Sequence, residues 1–360
     1  MNGAWAEARR LLVMRLDNIG DVVMTGPVLR ALKENQPGVH LTLMASPGGS
    51  KAAALLPWVD DVLTWRVVWQ DLGRLPFDPA REMEMIEAMK AGGYDGAVVL
   101  TSFKQTPHPA GYASYLAGIP LRLGESKEWG GGVLTDEVPA APDGLHQAER
   151  NLRLVEHAGL RVRDRSLGLR VPEEARSSVA GILEDHGVAA GSPYLLLSPW
   201  TSARSRNYPT DRFAVAARRV SEETGWPVVV SGTEADRERG KALLGLLGDR
   251  GVNLIGSTDL AGLAALVEGA GLLLTSNTST MHIADALRTP EVVLFAGTEL
   301  EEQWRPRHAP HYLLRRETSC SPCYAFTCPY AQECLDIPPG EAAEACLSLL
   351  SKVGVNTQRG

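Results

Sequence analysis

The 360-residue sequence predicts an α/β protein of two successive halves, each a parallel β-sheet covered by helices. Three observations predict it. Short runs rich in Leu, Val and Ile alternate with longer amphipathic stretches. That alternation restarts near residue 194. Between the halves stands a polar stretch containing Glu, Gly and Ser, residues 172–192. The length is too great for one ordinary compact domain and suits two, each with its own core.

The elements follow in order. Leu11–Leu16 reads as a buried strand. Pro27–Asn35 reads as a helix, with Pro27 in its first turn and Val28, Leu29 and Leu32 on one face. His40–Ala45, Val62–Arg66 and Ala97–Thr101 are further strands. In the second half Tyr194–Ser198 is a strand, and Thr210 is placed to cap a helix whose apolar side is Phe213, Ala217 and Val220. Pro227–Ser231 is a strand, and Asp259–Gly269 is a helix with Leu260, Leu263 and Val267 in register. Leu272–Thr275 and Val292–Phe295 are strands flanking another helix. The expected division is residues 1–175, residues 190–335, and a C-terminal helix and tail over 336–360, free to pack back on the first domain. Two halves facing each other would form a cleft, a favoured ligand site.

Composition bounds the function. The chain is 44% hydrophobic and 22% charged, as soluble globular proteins are. A net charge of −7 argues against a general grip on nucleic acid. The first residues lack the long apolar stretch and cleavage site of a secretory signal. No stretch approaches the roughly 18 uninterrupted apolar residues of a membrane span. A cytoplasmic protein is expected, with peripheral contact at a membrane surface left open.

The first strand runs into Arg15-Leu16-Asp17-Asn18-Ile19-Gly20-Asp21. One glycine is present, so the G-x-G-x-x-G fingerprint is absent, and so is a phosphate-cradling P-loop. Both omissions count against a dehydrogenase or an NTPase. The turn offers two carboxylates, Asp17 and Asp21, where open α/β sheets carry their functional groups. Either can accept a proton from a hydroxyl, or simply cap the next helix.

The second half offers an anion site. Ser276-Asn277-Thr278-Ser279-Thr280-Met281-His282 opens a helix, whose start presents free N–H groups and partial positive charge. Hydroxyls around such a start suit a diphosphate; a capped helix in a polar turn is the plainer reading. His282 is read as a wall of the site rather than a catalyst. After Tyr194–Ser198 come Thr201, Ser202, Arg204 and Arg206, and guanidinium forks bind phosphate oxygens well. Glu234, after Pro227–Ser231, can accept hydrogen bonds from sugar or ribose hydroxyls, or favour its own helix start.

Together these segments resemble the glycosyltransferase family that includes the ADP-heptose:lipopolysaccharide heptosyltransferases. The resemblance spans nearly the whole chain. It is carried by Arg15 through Pro27, Tyr115 through Gly124, His146 through Gly159 with Glu149, Arg150, Asn151 and Leu152, and Thr278 through Ala286. It implies the GT-B architecture, two Rossmann-like domains with parallel sheets facing across a cleft. The first domain would take the acceptor and the second the nucleotide sugar. By resemblance Asp21 is the general base of an inverting, metal-independent transfer. Thr201, Ser202 and Arg206 fall on donor-phosphate positions, with arginine where the family often has lysine. Glu234 and Thr258 fall near nucleoside and sugar contacts, and Thr278, Ser279 and His282 in the donor turn, with Asn277 and Thr280 beside them. Asp17, Asn18, Lys104 and Gln105 are expected at the acceptor. The implied donor is a nucleotide diphosphate sugar, ADP-heptose or similar. The implied acceptor is a glycan or lipid-linked glycan such as lipopolysaccharide core, at the cytoplasmic face of the inner membrane. No further cofactor is expected, and a monomer or weak oligomer is. The family's turn usually reads Asp-Thr-Gly, whereas here it is Asn277-Thr278-Ser279. That departure motivates a non-catalytic sugar-nucleotide binder as an alternative, beside a nucleotide-sugar epimerase of the same fold.

Four of five cysteines crowd into Cys320, Cys323, Cys328 and Cys334. The spacing is not that of a zinc ribbon, so reduced structural thiols or a disulfide are expected ahead of a metal site. Trp58, Trp65 and Trp69 are expected to pack, with a carbohydrate- or membrane-facing surface as the alternative.

Overall fold

The computed structural model describes residues 3–71 and 73–354. The chain divides into two compact units between Arg170 and Val171. In the first unit six strands form one wholly parallel sheet: β1 (Arg10–Arg15), β2 (His40–Ala45), β3 (Asp61–Thr64), β4 (Gly96–Val99), β5 (Leu121–Ser126) and β6 (Asp136–Pro139), in the order β3-β2-β1-β4-β5-β6. The second unit repeats the plan with β7 (Leu195–Ser198), β8 (Val228–Gly232), β9 (Gly251–Ile255), β10 (Leu272–Ser276), β11 (Glu291–Leu294) and β12 (His311–Leu314), in the order β12-β11-β10-β7-β8-β9. Counted from its own first strand, each sheet therefore reads 3-2-1-4-5-6, the doubly wound order. Winding reverses between β1 and β4, and again between β7 and β10.

The central strands are buried on both faces, which is why they read as continuous apolar runs. Leu11 to Met14 of β1 are fully buried, as are Leu195 to Leu197 of β7 and Leu272 to Leu274 of β10. Four strands that the sequence did not reveal, β5, β6, β9 and β12, are shorter of apolar residues. In β5 the buried Arg122 and Glu125 break the run; Glu125 is satisfied by Arg150 at 2.5 Å and Arg153 at 3.3 Å.

The stretch 172–192, read as a polar joint, contains the helix Glu173–Asp185, which belongs to the second unit. It buries Val179 and Leu183 and pairs Arg176 Nε with Glu268 Oε2 at 2.6 Å. Its few apolar residues among Glu, Ser and Arg hid the helical period. Thr210 is not the cap of its helix: Pro209 holds that position, and Thr210 already lies inside Thr210–Thr224. Its hydroxyl comes one residue too late to take an orphan amide. Asp259 does cap, accepting from Gly262 N at 2.8 Å ahead of Leu260–Gly269. The C-terminal helix Pro339–Lys352, for which a return to the first domain was open, joins the second unit's core. Its Ala342, Ala343, Cys346, Leu349 and Leu350 lie in one apolar cluster with Phe213, Ala217 and Val220. Among the described residues no helix is long and apolar enough to cross a membrane.

One residue works against this core. Glu291, the first residue of β11, is fully buried, and neither carboxylate oxygen has a hydrogen-bond partner. Burial, reinforced by Asp285, pushes its carboxyl well above the usual 4.5. Both folded and unfolded chains hold this proton below that usual value, so nothing is lost there. As pH rises the unfolded chain ionises first, and the contribution is lost as pH climbs through the folded-state value. Glu291→Gln is expected to melt above the parent protein at pH 8, with the gap closing toward pH 4.5; a gap independent of pH would contradict a neutral buried carboxyl.

Candidate functional site

At the first reversal point, the loop after β1 meets the loop after β4. Arg15 ends β1 with its side chain wholly buried. Its Nε lies 3.0 Å from Asp17 Oδ2, and its Nη2 donates to Asp21 Oδ1 at 2.7 Å and to Ser102 Oγ at 2.8 Å. Asp21 Oδ2 accepts the backbone N–H of Asn18 at 3.2 Å. With Asn18 as the cap residue, Asp21 completes the helix start from the third helical position. It steadies the entry to the short helix Ile19–Val23, and its side chain keeps 14% exposure. Gln105 donates to Asp17 Oδ1 and accepts from Ser102 N at 2.9 Å. Burial raises the Asp17 carboxyl; Arg15 opposes this, and Asp21 adds to it. Asn18 and Lys104 stand exposed beside this network. The helix Gln147–His157 anchors it from below: Gln147 Nε2 donates to Thr101 O at 3.0 Å, and Asn151 Nδ2 to Met24 O at 3.2 Å.

At the second reversal point, the loop after β7 meets the turn after β10. Ser198 Oγ and Thr280 Oγ1 are 3.1 Å apart, and Thr275 Oγ1 donates to Ser198 O at 2.8 Å. Thr278 precedes the helix Ser279–Leu287 with extended backbone; Thr278 and Ser279 are half-buried. Asn277 is only 3% exposed, and its Oδ1 accepts Ala296 N at 3.1 Å, tying the turn to the loop after β11. Thr280 and His282 are buried, with the imidazole 6.3 Å from the Trp304 ring. Asn277, Thr280 and His282 therefore shape the turn, while Thr278 and Ser279 keep a surface on it.

The arginine loop is held in a definite form. Thr201 N donates to Asn207 Oδ1 at 2.8 Å, and Thr201 Oγ1 to Ala203 O at 2.7 Å. Arg206 Nη2 donates to Glu299 Oε1 at 2.7 Å, and its Nε to Thr298 Oγ1 at 3.2 Å. Ser202 and Arg204 are exposed. Farther along the edge, Glu234 pairs with Arg237 at 2.6 Å and reaches the end of β9, where a Cβ on Gly256 would meet Glu234 Oε2 at 2.5 Å. Thr258, two residues on, borders a groove of about 430 Å³ with Ser178, Asp259 and Gly262.

The cysteine segment braces this edge. Cys323 N donates to Gly297 O at 3.1 Å, and Tyr324 N to Thr298 O at 2.9 Å. Ser205 N donates to Phe326 O at 3.1 Å, and Gln332 Nε2 to Arg204 O at 3.2 Å. A Cβ on Gly297 would lie 3.0 Å from Ser321 Oγ and 3.2 Å from Cys334 Cβ, a tight fit that glycine avoids. All four clustered cysteines are free thiols. Among the described residues no three His, Cys, Asp or Glu side chains are grouped as metal ligands. Half-buried Trp58 and Trp65 lie under Arg30 and Arg81, and half-buried Trp69 packs against the first unit's core.

Sequence reasoning gave no role to Arg15, Thr298 and Glu299. Arg15 left a signal, a charge closing an apolar strand; the other two left none, since loop residues meet only in the fold.

The sequence profile of glycosyltransferase family 9 (heptosyltransferase) matches residues 84–333. Lipopolysaccharide heptosyltransferase 2 of Salmonella typhimurium is 25% identical over 369 residues, covering 96% of this chain and all of that protein. Lipopolysaccharide heptosyltransferase 1 of Pseudomonas aeruginosa is 25% identical over 342 residues, covering 89% of this chain and 88% of that one. Among solved structures, a family 9 glycosyltransferase from Veillonella parvula matches with TM-score 0.76 at 19% identity, covering 96% of this chain and 97% of that one. ADP-heptose lipopolysaccharide heptosyltransferase II of E. coli matches with TM-score 0.73 at 23% identity, covering 96% and 99%.

The turn and the arginine loop separate experimentally. Asn277→Ala removes a buried tie and is expected to cost about 1–3 kcal/mol, lowering the melting temperature by about 2–12 °C. Exposed Ser202→Ala is expected to leave melting unchanged, and equal melting for both variants would remove the structural role of Asn277.

Proposed function

The chain belongs to glycosyltransferase family 9, and from that membership we propose that it moves a heptose or related sugar from a nucleotide diphosphate donor to a lipopolysaccharide-type acceptor, with inversion. The observation that carries the reading is Asp21: a partly exposed carboxylate at a reversal point, oriented by Arg15 and by Asn18 N. The relatives are named lipopolysaccharide heptosyltransferases, which supports the sugar and acceptor class.

In the proposed reaction the acceptor hydroxyl attacks the anomeric carbon opposite the nucleotide. Asp21 takes the hydroxyl proton as the new bond forms. The bond to the nucleotide diphosphate breaks, and the departing phosphate gains charge. Arg206, exposed Arg204 and the N–H groups at the Ser279 helix start supply that charge with donors. These groups do the work that a divalent metal does elsewhere. Arg206 is spoken for by Glu299 and Thr298, so a diphosphate has to draw its donors away from Glu299. Glu234 and Thr258 face the nucleoside and sugar, and Asp17, Asn18, Lys104 and Gln105 the acceptor. We place the enzyme in the cytoplasm, acting on a lipid-linked acceptor at the membrane face.

Asp21→Asn is expected to fold and to retain ADP binding, while transferring sugar from ADP-heptose at least about a hundredfold more slowly. Near-parent turnover would remove Asp21 as the base. Arg206→Ala is expected to weaken ADP binding by about tenfold to a hundredfold, read as a smaller thermal shift at fixed ADP. An unchanged shift would take Arg206 out of the donor site. Incubation with donor alone separates the epimerase alternative, which needs no acceptor, and ADP binding without transfer to any acceptor would favour the non-catalytic one.

A further inference from the structure

We propose that Arg15 is the positioning residue of Asp21 and that Asp17 is its standing counter-charge, the three forming one acid–base unit. The inference rests on the reading of Asp21 as the base and adds two residues to it. A guanidinium with no exposed surface is costly unless its charge is matched. Here the matching is double: Nε faces Asp17 at 3.0 Å and Nη2 meets Asp21 at 2.7 Å. The loop after β4 adds neutral Ser102 on Nη2 and neutral Gln105 on Asp17, with Lys104 exposed beside them. The charges acting on Arg15 are those of Asp17 and Asp21.

The geometry fixes the base. Asp21 Oδ1 is held by Arg15 and Oδ2 by Asn18 N, so both torsions of the side chain are set. A carboxylate has about four acceptor sites, which leaves room for a hydroxyl on the exposed side. Orientation of this kind is worth large factors in rate.

Asp17 answers a different problem. When Asp21 takes the acceptor's proton it becomes neutral and ceases to balance Arg15. A base whose only partner were a buried cation would resist that proton. With Asp17 on the other arm of the guanidinium, the unit passes from net −1 to neutral, and Arg15 keeps a counter-ion throughout.

The test follows the carboxyls directly by 13C NMR of aspartate-labelled protein, with Asp17→Asn and Asp21→Asn assigning the signals. Turnover from ADP-heptose to heptose-deficient lipopolysaccharide is measured in parallel. Arg15→Met is expected to raise the Asp21 midpoint by about 1–3 units. It is also expected to lower kcat by at least about thirtyfold, with ADP affinity within about twofold of the parent. Arg15→Lys keeps the charge but loses the fork, so it holds the midpoint within about one unit and recovers only part of kcat. Asp17→Asn removes the like charge and lowers the Asp21 midpoint. If Arg15→Met does not fold, Arg15→Lys and Asp17→Asn still decide. An Asp21 midpoint that moves in none of the folded variants overturns the unit. Unimpaired turnover in Asp21→Asn instead sinks the base reading and leaves the NMR coupling to be judged separately.

Discussion

A parallel sheet wound outward in both directions from its first strand has one place where neighbouring loops run apart. The rest of this chain is arranged around that constraint. It occurs twice, between β1 and β4 and between β7 and β10, because the two units share one strand order. At each point the backbone leaves a gap at the carboxyl edge that side chains fill. What differs is the filling. The first gap holds a buried cation set between two carboxylates and a hydroxyl. The second holds hydroxyls, a helix start and an arginine. One topology thus carries two chemically different fillings.

Each filling is supported from behind. In the first unit, buried polar residues of the helix Gln147–His157 grip the backbone just past β4 and at Met24. In the second, the cysteine segment plays the supporting part, since its amides and carbonyls meet those of Gly297, Thr298 and Ser205. A segment with little core of its own is ordered by this docking. It also explains why four cysteines lie along the edge that carries Ser205, Gly297 and Thr298.

The central strands were legible because burial on both faces leaves an unbroken apolar run. Leu272 to Leu274 could hardly be read otherwise. The edge strands β6, β9 and β12 and the helix Glu173–Asp185 were less legible, since their apolar residues are sparse, and interior β5 was hidden by its buried Arg122 and Glu125. Asp21 was legible as a candidate by its place after β1. Arg15 was not, because an arginine closing a strand looks like a boundary marker until the fold shows Ser102 and both aspartates around it. Glu299 was invisible for the same reason: its meaning lies in Arg206, 93 residues away in sequence.

The departure at Asn277 takes on a different sense in the folded chain. As a sequence feature it replaces the family's usual aspartate by an uncharged residue. In the structure the side chain is buried and its oxygen serves Ala296 N. An aspartate could make that same bond, so the oxygen's task is kept while the charge is dropped. The amide nitrogen is left without a partner, a local cost rather than a change of ligand. The consequence travels along the chain: Ala296 leads through Gly297 to Thr298, and Thr298 Oγ1 holds Arg206. Residue 277 therefore bears on Arg206, by setting the loop that holds it. An enzyme can lose the charge there and keep the site, provided that the loop stays where the asparagine ties it.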